Sequence, residues 1–189
     1  MWGEYMENQI LKTLAARVRS RAISQESLTE NMITDMMEAI RLTPSCSNKQ
    51  PWRYLFLQSE EALTKGHQVL SKGNFPWASR APLLVIGYSK KQDDCLQADG
   101  RAYYQFDVGL STMNLMLCAT HLGLTARPMA GWDPTKIKEL FNLDTEYEPI
   151  IVIAIGYPSD DESYLSEHQK GANQRPRVRK PVSEIIQRL

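Results

Sequence analysis

The chain has 189 residues, is 42% hydrophobic, and balances 22 Lys and Arg against 22 Asp and Glu. It is long enough for one domain with a real core and too short for two. A formal net charge of zero excludes the long-range field that draws in nucleic acid or an anionic membrane surface, so any bound anion must be held by a local cluster.

From the N-terminus, MWGEYMENQILKTLAARVRSR places acidic residues ahead of its apolar ones and has no small-residue cleavage site, which does not fit a signal peptide. Residues near 4 to 16 carry Ile10, Leu11, Leu14 and Ala15 at helical spacing. Ser27-Leu28-Thr29-Glu30 fits a capping box, followed by Met32, Ile33, Met36, Met37 and Ile40 on one helical face that must end before Pro44. The segment PSCSNKQP is turn chemistry. Arg53–Gln58, Pro82–Tyr88 and Pro149–Tyr157 are strands, and the last two have the unbroken apolar character of strands buried on both faces. Between them, Ala102–Leu122 is apolar nearly all round and stops at Gly123, which suits a central helix with a glycine C-cap. Asp133-Pro134 predicts a helix over about 134–141. Residues 158–174 are polar and read as an exposed linker, and 175–189 form a basic C-terminal arm. These elements indicate an α+β fold, a mixed or antiparallel sheet flanked by helices, in one domain over 1–189.

No apolar run approaches the roughly 20 residues needed to cross a bilayer. Cys46, Cys95 and Cys118 are an odd number without CxxC or Cys/His spacing. They indicate neither a disulfide framework nor a zinc site, and free thiols suit a cytoplasmic protein. Neither a metal, a membrane nor a nucleic-acid partner is expected. His67, His121 and His168 lack the neighbouring carboxylate or cysteine pattern of a catalytic group.

Four segments carry candidate chemistry. In an extended chain Arg17, Arg19 and Arg21 project together, a geometry suited to a phosphate dianion, although a solvated helix end has the same composition. Arg175-Pro176-Arg177-Val178-Arg179-Lys180 repeats the spacing near the other terminus, as would a basic arm. The loop 44–52 offers hydroxyls and an amide for the edges of a polar heterocycle, or for its own backbone. In residues 123–133 the small Ala130-Gly131 step allows backbone amides close to a planar ligand, unless the segment is an ordinary loop ahead of the next helix.

The order Arg-x-x-x-Arg, PSxxNxQPW, GL-x-x-x-P-x-x-G, IGYP and R-x-R-K-P, over roughly Arg17 to Ile186, resembles the FMN-dependent nitroreductase family. The resemblance implies a homodimer with an exchanged C-terminal arm and a long helix at the interface. It also implies an FMN phosphate held by Arg17, Arg19, Arg21, Arg177 and Arg179, with Val18 in the same stretch. Pro44, Ser45, Ser47 and Asn48 would reach the flavin from the second subunit. Asn74 would lie beside the ring, and Pro128, Met129, Ala130 and Gly131 along its N5 side. Position 19 is often serine in that family, so Arg19 and Ser20 compete for the phosphate-facing place, and position 130 is often acidic. Activity by resemblance is ping-pong hydride transfer from NADH or NADPH through FMN to an organic acceptor such as a nitroaromatic or quinone. Such chemistry needs no protein acid or base, so no catalytic side chain is expected. A flavin-fragmenting or dehalogenating relative and a non-catalytic flavin-binding protein are the alternatives.

Overall fold

The computed structural model describes residues 8–95 and 97–189. Helix α1 (Gln9–Ala16) is capped by Asn8, whose Oδ1 accepts from the amides of Ile10 and Leu11. The part of the expected first helix before Asn8 lies outside the described residues. Helix α2 (Glu30–Arg41) starts two residues later than the capping box implied: Thr29, not Ser27, is the cap, its Oγ1 accepting from Met32 N at 3.3 Å. Ile33, Met36 and Ile40 form its buried face, while Met37 stays exposed.

Four strands make one antiparallel sheet in the order β1-β2-β4-β3: β1 (Arg53–Leu57), β2 (Leu83–Ser89), β3 (Thr125–Met129) and β4 (Glu148–Gly156). Of the two sheet types expected, the antiparallel one is present. β2 and β4 occupy the centre, and successive side chains go to opposite faces. Leu83 and Val85, with Ile153 and Ile155, pack under α2 and under the long helix α5 (Tyr104–His121). Leu84 and Ile86, with Val152 and Ala154, pack on the other face against Val69, Trp77 and Ile137. That second layer holds α3 (Glu60–Gln68), α4 (Phe75–Ala78) and α6 (Pro134–Leu140). Asp133 caps α6 as its sequence implied, with Oδ1 accepting from Thr135 N and Lys136 N.

α5 ends as expected at Gly123, which adopts φ +77°. Its amide donates to Thr120 O and that of Leu124 to Ala119 O, the paired bonds of a Schellman turn. The chain then enters β3, a strand that the sequence does not predict. Pro128 is tolerated there because β3 lies at the sheet edge, where a missing N–H can face away from the ladder. Residues 158–174 also differ from the expected exposed linker. Leu165 is 4% exposed and sits in the core, and the Tyr164 hydroxyl accepts from Ile23 N at 2.9 Å. Ser166 and Gln169 form a capping box that starts α7 (Glu167–Gln174). Two anchoring side chains suffice to pin a stretch whose average composition is polar. The arm from 175 crosses to α1 and ends in the short exposed helix α8 (Val182–Ile185).

The cysteines depart from the free-thiol expectation. Cys46 and Cys95 form a disulfide across 49 positions of chain, and Cys118 is free. The bridge joins the turn after α2 to the segment before α5, elements that only the fold brings together. Spacing motifs miss such a pair because its proximity is tertiary. Closing a loop of that length restricts the unfolded chain by about 4 kcal/mol in the chain-entropy treatment. Thiol titration of the unfolded, unreduced protein should therefore find one reactive thiol. Urea unfolding with and without a phosphine reductant should show a stability loss of up to about 4 kcal/mol, which Cys46→Ser and Cys95→Ser should each reproduce without adding in the double variant.

Candidate functional site

The segment from Arg17 to Ala22 runs without regular structure between α1 and an isolated bridge at Ile23 and Pro158. It is gripped through its own carbonyls. Arg177 donates Nη1 to Ala15 O at 3.0 Å and Leu14 O at 3.3 Å, and Nη2 to Arg17 O. These are the exposed carbonyls at the C-terminal end of α1, which has no basic residue in its own last turn, so a residue from the other end of the chain supplies the compensating cation. Arg19 donates Nη2 to Arg175 O at 2.7 Å and accepts at its carbonyl from Arg127 Nη1. Ser20 is turned onto its own backbone, Oγ accepting from Ala22 N at 2.9 Å. Arg21 is tied through its amide to Asn173 Oδ1.

Arg17, Arg177 and Arg179 line a cavity of about 810 Å³ together with Leu11, Leu14, Met113, Met116 and Pro128. That volume suits a small-molecule site. Its chemistry is amphipathic, with cations at one end and apolar walls from α1, α5 and the edge strand. Among the described residues, no carboxylate forms an ion pair with Arg17, Arg19, Arg21 or Arg127. Burial lowers the pKa of Arg17, and the charges of Arg177, Arg179 and Arg19 lower it further. The same two causes act on Arg21, with Arg19 as the neighbour.

Past the edge strand, Ala130 is exposed and Gly131 is closely packed. A Cβ at Gly131 would meet Ser71 Oγ at 2.6 Å and Asn74 Nδ2 at 2.8 Å. The Gly131 carbonyl accepts from Ser71 N and from Asn74 Nδ2, both at 3.0 Å. Asn74 and Gly131, 57 positions apart, are thus joined directly. Met129 points into the core, so only its backbone is available at the site, whereas Val18 is exposed.

Pro44, Ser45, Ser47 and Asn48 do not join this group within one chain. Their loop lies along the N-terminal half of α5, where Pro44, Ser45 and Cys46 line a second cavity of about 340 Å³ with Phe106, Asp107 and Leu110. Ser47, Asn48 and Gln50 adopt φ of 48°, 53° and 47°, left-handed positions interrupted by Lys49 and uncommon for non-glycine residues. The loop is held by Ser45 Oγ accepting from Gln50 N at 2.8 Å, by the disulfide, and by Asp107, whose carboxylate accepts from Cys46 N at 3.2 Å. Gln97 Nε2 lies 3.4 Å from the sulfur of Cys46 and 3.3 Å from that of Cys95.

Two participants escaped the sequence reading. Arg127 lies in a segment whose sequence does not predict a strand, and only the strand geometry of β3 separates it from Pro128 onto the opposite face. Asp107 lies inside an apolar helix, and that isolation was its signal. Among the described residues no metal-holding group of His, Cys, Asp and Glu is assembled, and no helix is long and apolar enough to cross a membrane.

Residues 65–157, from α3 through β4, match the family model described as the nitroreductase family. Over that segment, just under half of the chain, the sequence is similar to the nitroreductase family. A Stutzerimonas stutzeri protein named for NADH dehydrogenase or NAD(P)H nitroreductase activity is 28% identical over 170 residues, covering 80% of this chain and 87% of its own. A nitroreductase family protein from Clostridium difficile 630 superposes with a TM-score of 0.77 at 26% identity, covering 95% of this chain and 97% of the other. A nitroreductase from Exiguobacterium sibiricum, solved in complex with FMN, has a TM-score of 0.78 at 19% identity over 96% and 98% of the two chains, which supports the shared fold.

Asp107 yields a test of how the loop is held. It is 1% exposed; burial raises its pKa, the bond from Cys46 N partly offsets this, and the nearby Asp94 raises it again. A carboxyl whose folded pKa is raised is most compatible with the fold when protonated, so its contribution declines as pH rises through that pKa. Asp107→Asn keeps an acceptor and removes the charge. Its melting temperature should exceed that of the parent at neutral pH, and the advantage should disappear below about pH 4, where ordinary carboxyls protonate.

Proposed function

We propose that the protein is an FMN-dependent oxidoreductase that works as a homodimer. The reading is carried by the cavity itself, which joins a cluster of guanidiniums from both ends of the chain to apolar walls, with no carboxylate paired to Arg17 among the described residues. The residues fit the cofactor: Arg17, Arg177 and Arg179 would hold its phosphate, with Arg19 and Arg21 adding positive charge beside them. Pro128 and the backbone of Val18 would flank its polyol chain. Asn74, Ala130 and Gly131 would border the ring, and a side chain larger than hydrogen at 131 would displace Asn74.

The chemistry FMN supplies when bound is hydride transfer from NADH or NADPH to an organic acceptor, such as a nitroaromatic or quinone, in a ping-pong cycle. The protein's part is to bind, orient and exclude water. Arg17 and Arg179 fix one end of the cofactor, while the Asn74–Gly131 bond holds the backbone after β3 in a single position. Donor and acceptor would use the same open face in turn, so proximity rather than a protein acid or base would carry the rate.

The dimer is supported by what α5 leaves open. Tyr104, Val108, Leu115 and Ala119 are buried against the sheet, whereas Phe106 is 58% exposed and Gly109 meets no neighbouring atom within 4 Å. The two cavities share this helix, one at 106–110 and the other at 113–116. A twofold axis across α5 would bring the Pro44–Asn48 loop of a second copy toward the arginine-lined cavity of the first. The exposed side chains of Val178, Val182, Ile185 and Ile186 suit an arm that covers the other copy within one domain per chain.

Purified protein should show flavin absorption that NADH or NADPH bleaches without oxygen; a colourless protein that FMN cannot load would overturn the reading. Arg17→Ala and Arg179→Ala should each weaken FMN retention by about 1.5 to 3 kcal/mol, measured by fluorescence on dilution. Light scattering should give the mass of two chains, and a monomer that keeps FMN would contradict the shared site.

A further inference from the structure

Arg127 is the arginine that the phosphate assignment leaves without a role. It belongs to β3, within the family-matched segment, and its side chain leaves the sheet on the face of Trp77, whose ring lies 5.5 Å from the guanidinium carbon. Pro128, one residue on, faces the cavity on the opposite side. Nη1 of Arg127 donates to the carbonyl of Arg19, so the guanidinium lies directly beneath the Arg17–Arg21 segment. That bond and the ring contact satisfy part of the group but offer no negative charge.

We propose that Arg127 serves the same anion site through its charge, acting from beneath the Arg17–Arg21 segment rather than lining the cavity, and that a bound phosphate dianion supplies its counter-charge. The inference rests on the flavin-nucleotide reading for the identity of the natural ligand, but the anion site itself does not. Its first support is the absence, among the described residues, of any carboxylate paired with Arg127, Arg21 or Arg19. The second is position: Arg127 touches the backbone that carries three other guanidiniums. The third is electrostatic. Burial, then the charges of Arg21, Arg19 and Arg17, lower the Arg127 pKa to about 10. A half-buried guanidinium among like charges is unfavourable unless an anion completes the set.

A cation that only braces the fold and one that waits for a ligand differ in sign. If Arg127 is structural, removing its charge destabilises the ligand-free protein. If it awaits an anion, removal relieves repulsion in the ligand-free state and weakens binding. The test uses Arg127→Gln, which can still donate to the Arg19 carbonyl, with Arg127→Lys to restore charge. Melting temperature and affinity are measured on flavin-free full-length protein with three probes: inorganic phosphate, FMN and riboflavin.

The expected result is that Arg127→Gln melts at or above the parent temperature without ligand. It should bind phosphate and FMN about tenfold more weakly, the change equivalent to about 1.4 kcal/mol, and riboflavin unchanged. Arg127→Lys should recover most of the loss. A lower melting temperature of ligand-free Arg127→Gln, or unaltered phosphate and FMN affinity, would overturn the proposal. Equal loss for riboflavin and FMN would overturn it too, because the effect would then not follow the phosphate. If the parent protein binds phosphate but neither flavin, the flavin reading fails while the phosphate comparison still decides the role of Arg127.

Discussion

β2 and β4 are apolar on both faces, and a strand of that kind has to be covered from two sides. The rest of the architecture follows from this requirement. Leu83, Val85, Ile153 and Ile155 require the α2 and α5 layer, while Leu84, Ile86, Val152 and Ala154 require the layer of α3, α4 and α6. With the two central strands committed, β1 and β3 become edges. The β3 edge is where the Arg17–Arg21 segment, the Gly131 turn and the Arg177–Arg179 arm meet. A polar, charge-rich site can gather there without interrupting the core.

That corner is electrostatically unfavourable when considered alone. Guanidiniums from both ends of the chain and from the middle are brought together, and those of Arg19, Arg127 and Arg179 donate to backbone carbonyls. Arg177 offsets part of its own cost by completing the end of α1, and Arg127 packs on Trp77. Among the described residues, Arg17, Arg19, Arg21 and Arg127 have no carboxylate partner, a local excess of positive charge in a molecule that is neutral as a whole. Packing elsewhere therefore sustains a region that favours an anion, and occupancy of the site is linked to stability.

Much of this was legible in the residues. The aromatic and aliphatic run over residues 53–58, the two β-branched runs bounded by Pro and Gly, the α5 stop at Gly123 and the Asp133 cap are set by local rules, and the structure follows them. β3 was hidden because Thr125–Met129 contains Arg127 and Pro128 and shows no alternation; it is a strand because β4 offers it a partner. Leu165 and Tyr164 anchor a stretch whose composition is that of a linker, and the capping box at Ser166 was the one local sign of α7. The Cys46–Cys95 pairing and the joining of Asn74 to Gly131 are contacts across 49 and 57 positions, which no windowed reading contains. Arginine spacing indicated a charged cluster but not its division between a cavity wall and a residue beneath the segment.

The Schellman turn at Gly123 has a mechanical consequence. Only Leu122, Gly123 and Leu124 separate α5 from β3, and two backbone bonds close that corner. The helix and the edge strand therefore form a bent lever with almost no slack. A small rotation of α5 about its axis cannot be absorbed at the joint, and it reaches Pro128 and Gly131 as a shift of the backbone itself. The open face of the helix and the floor of the cavity are in this sense two arms of one rigid part.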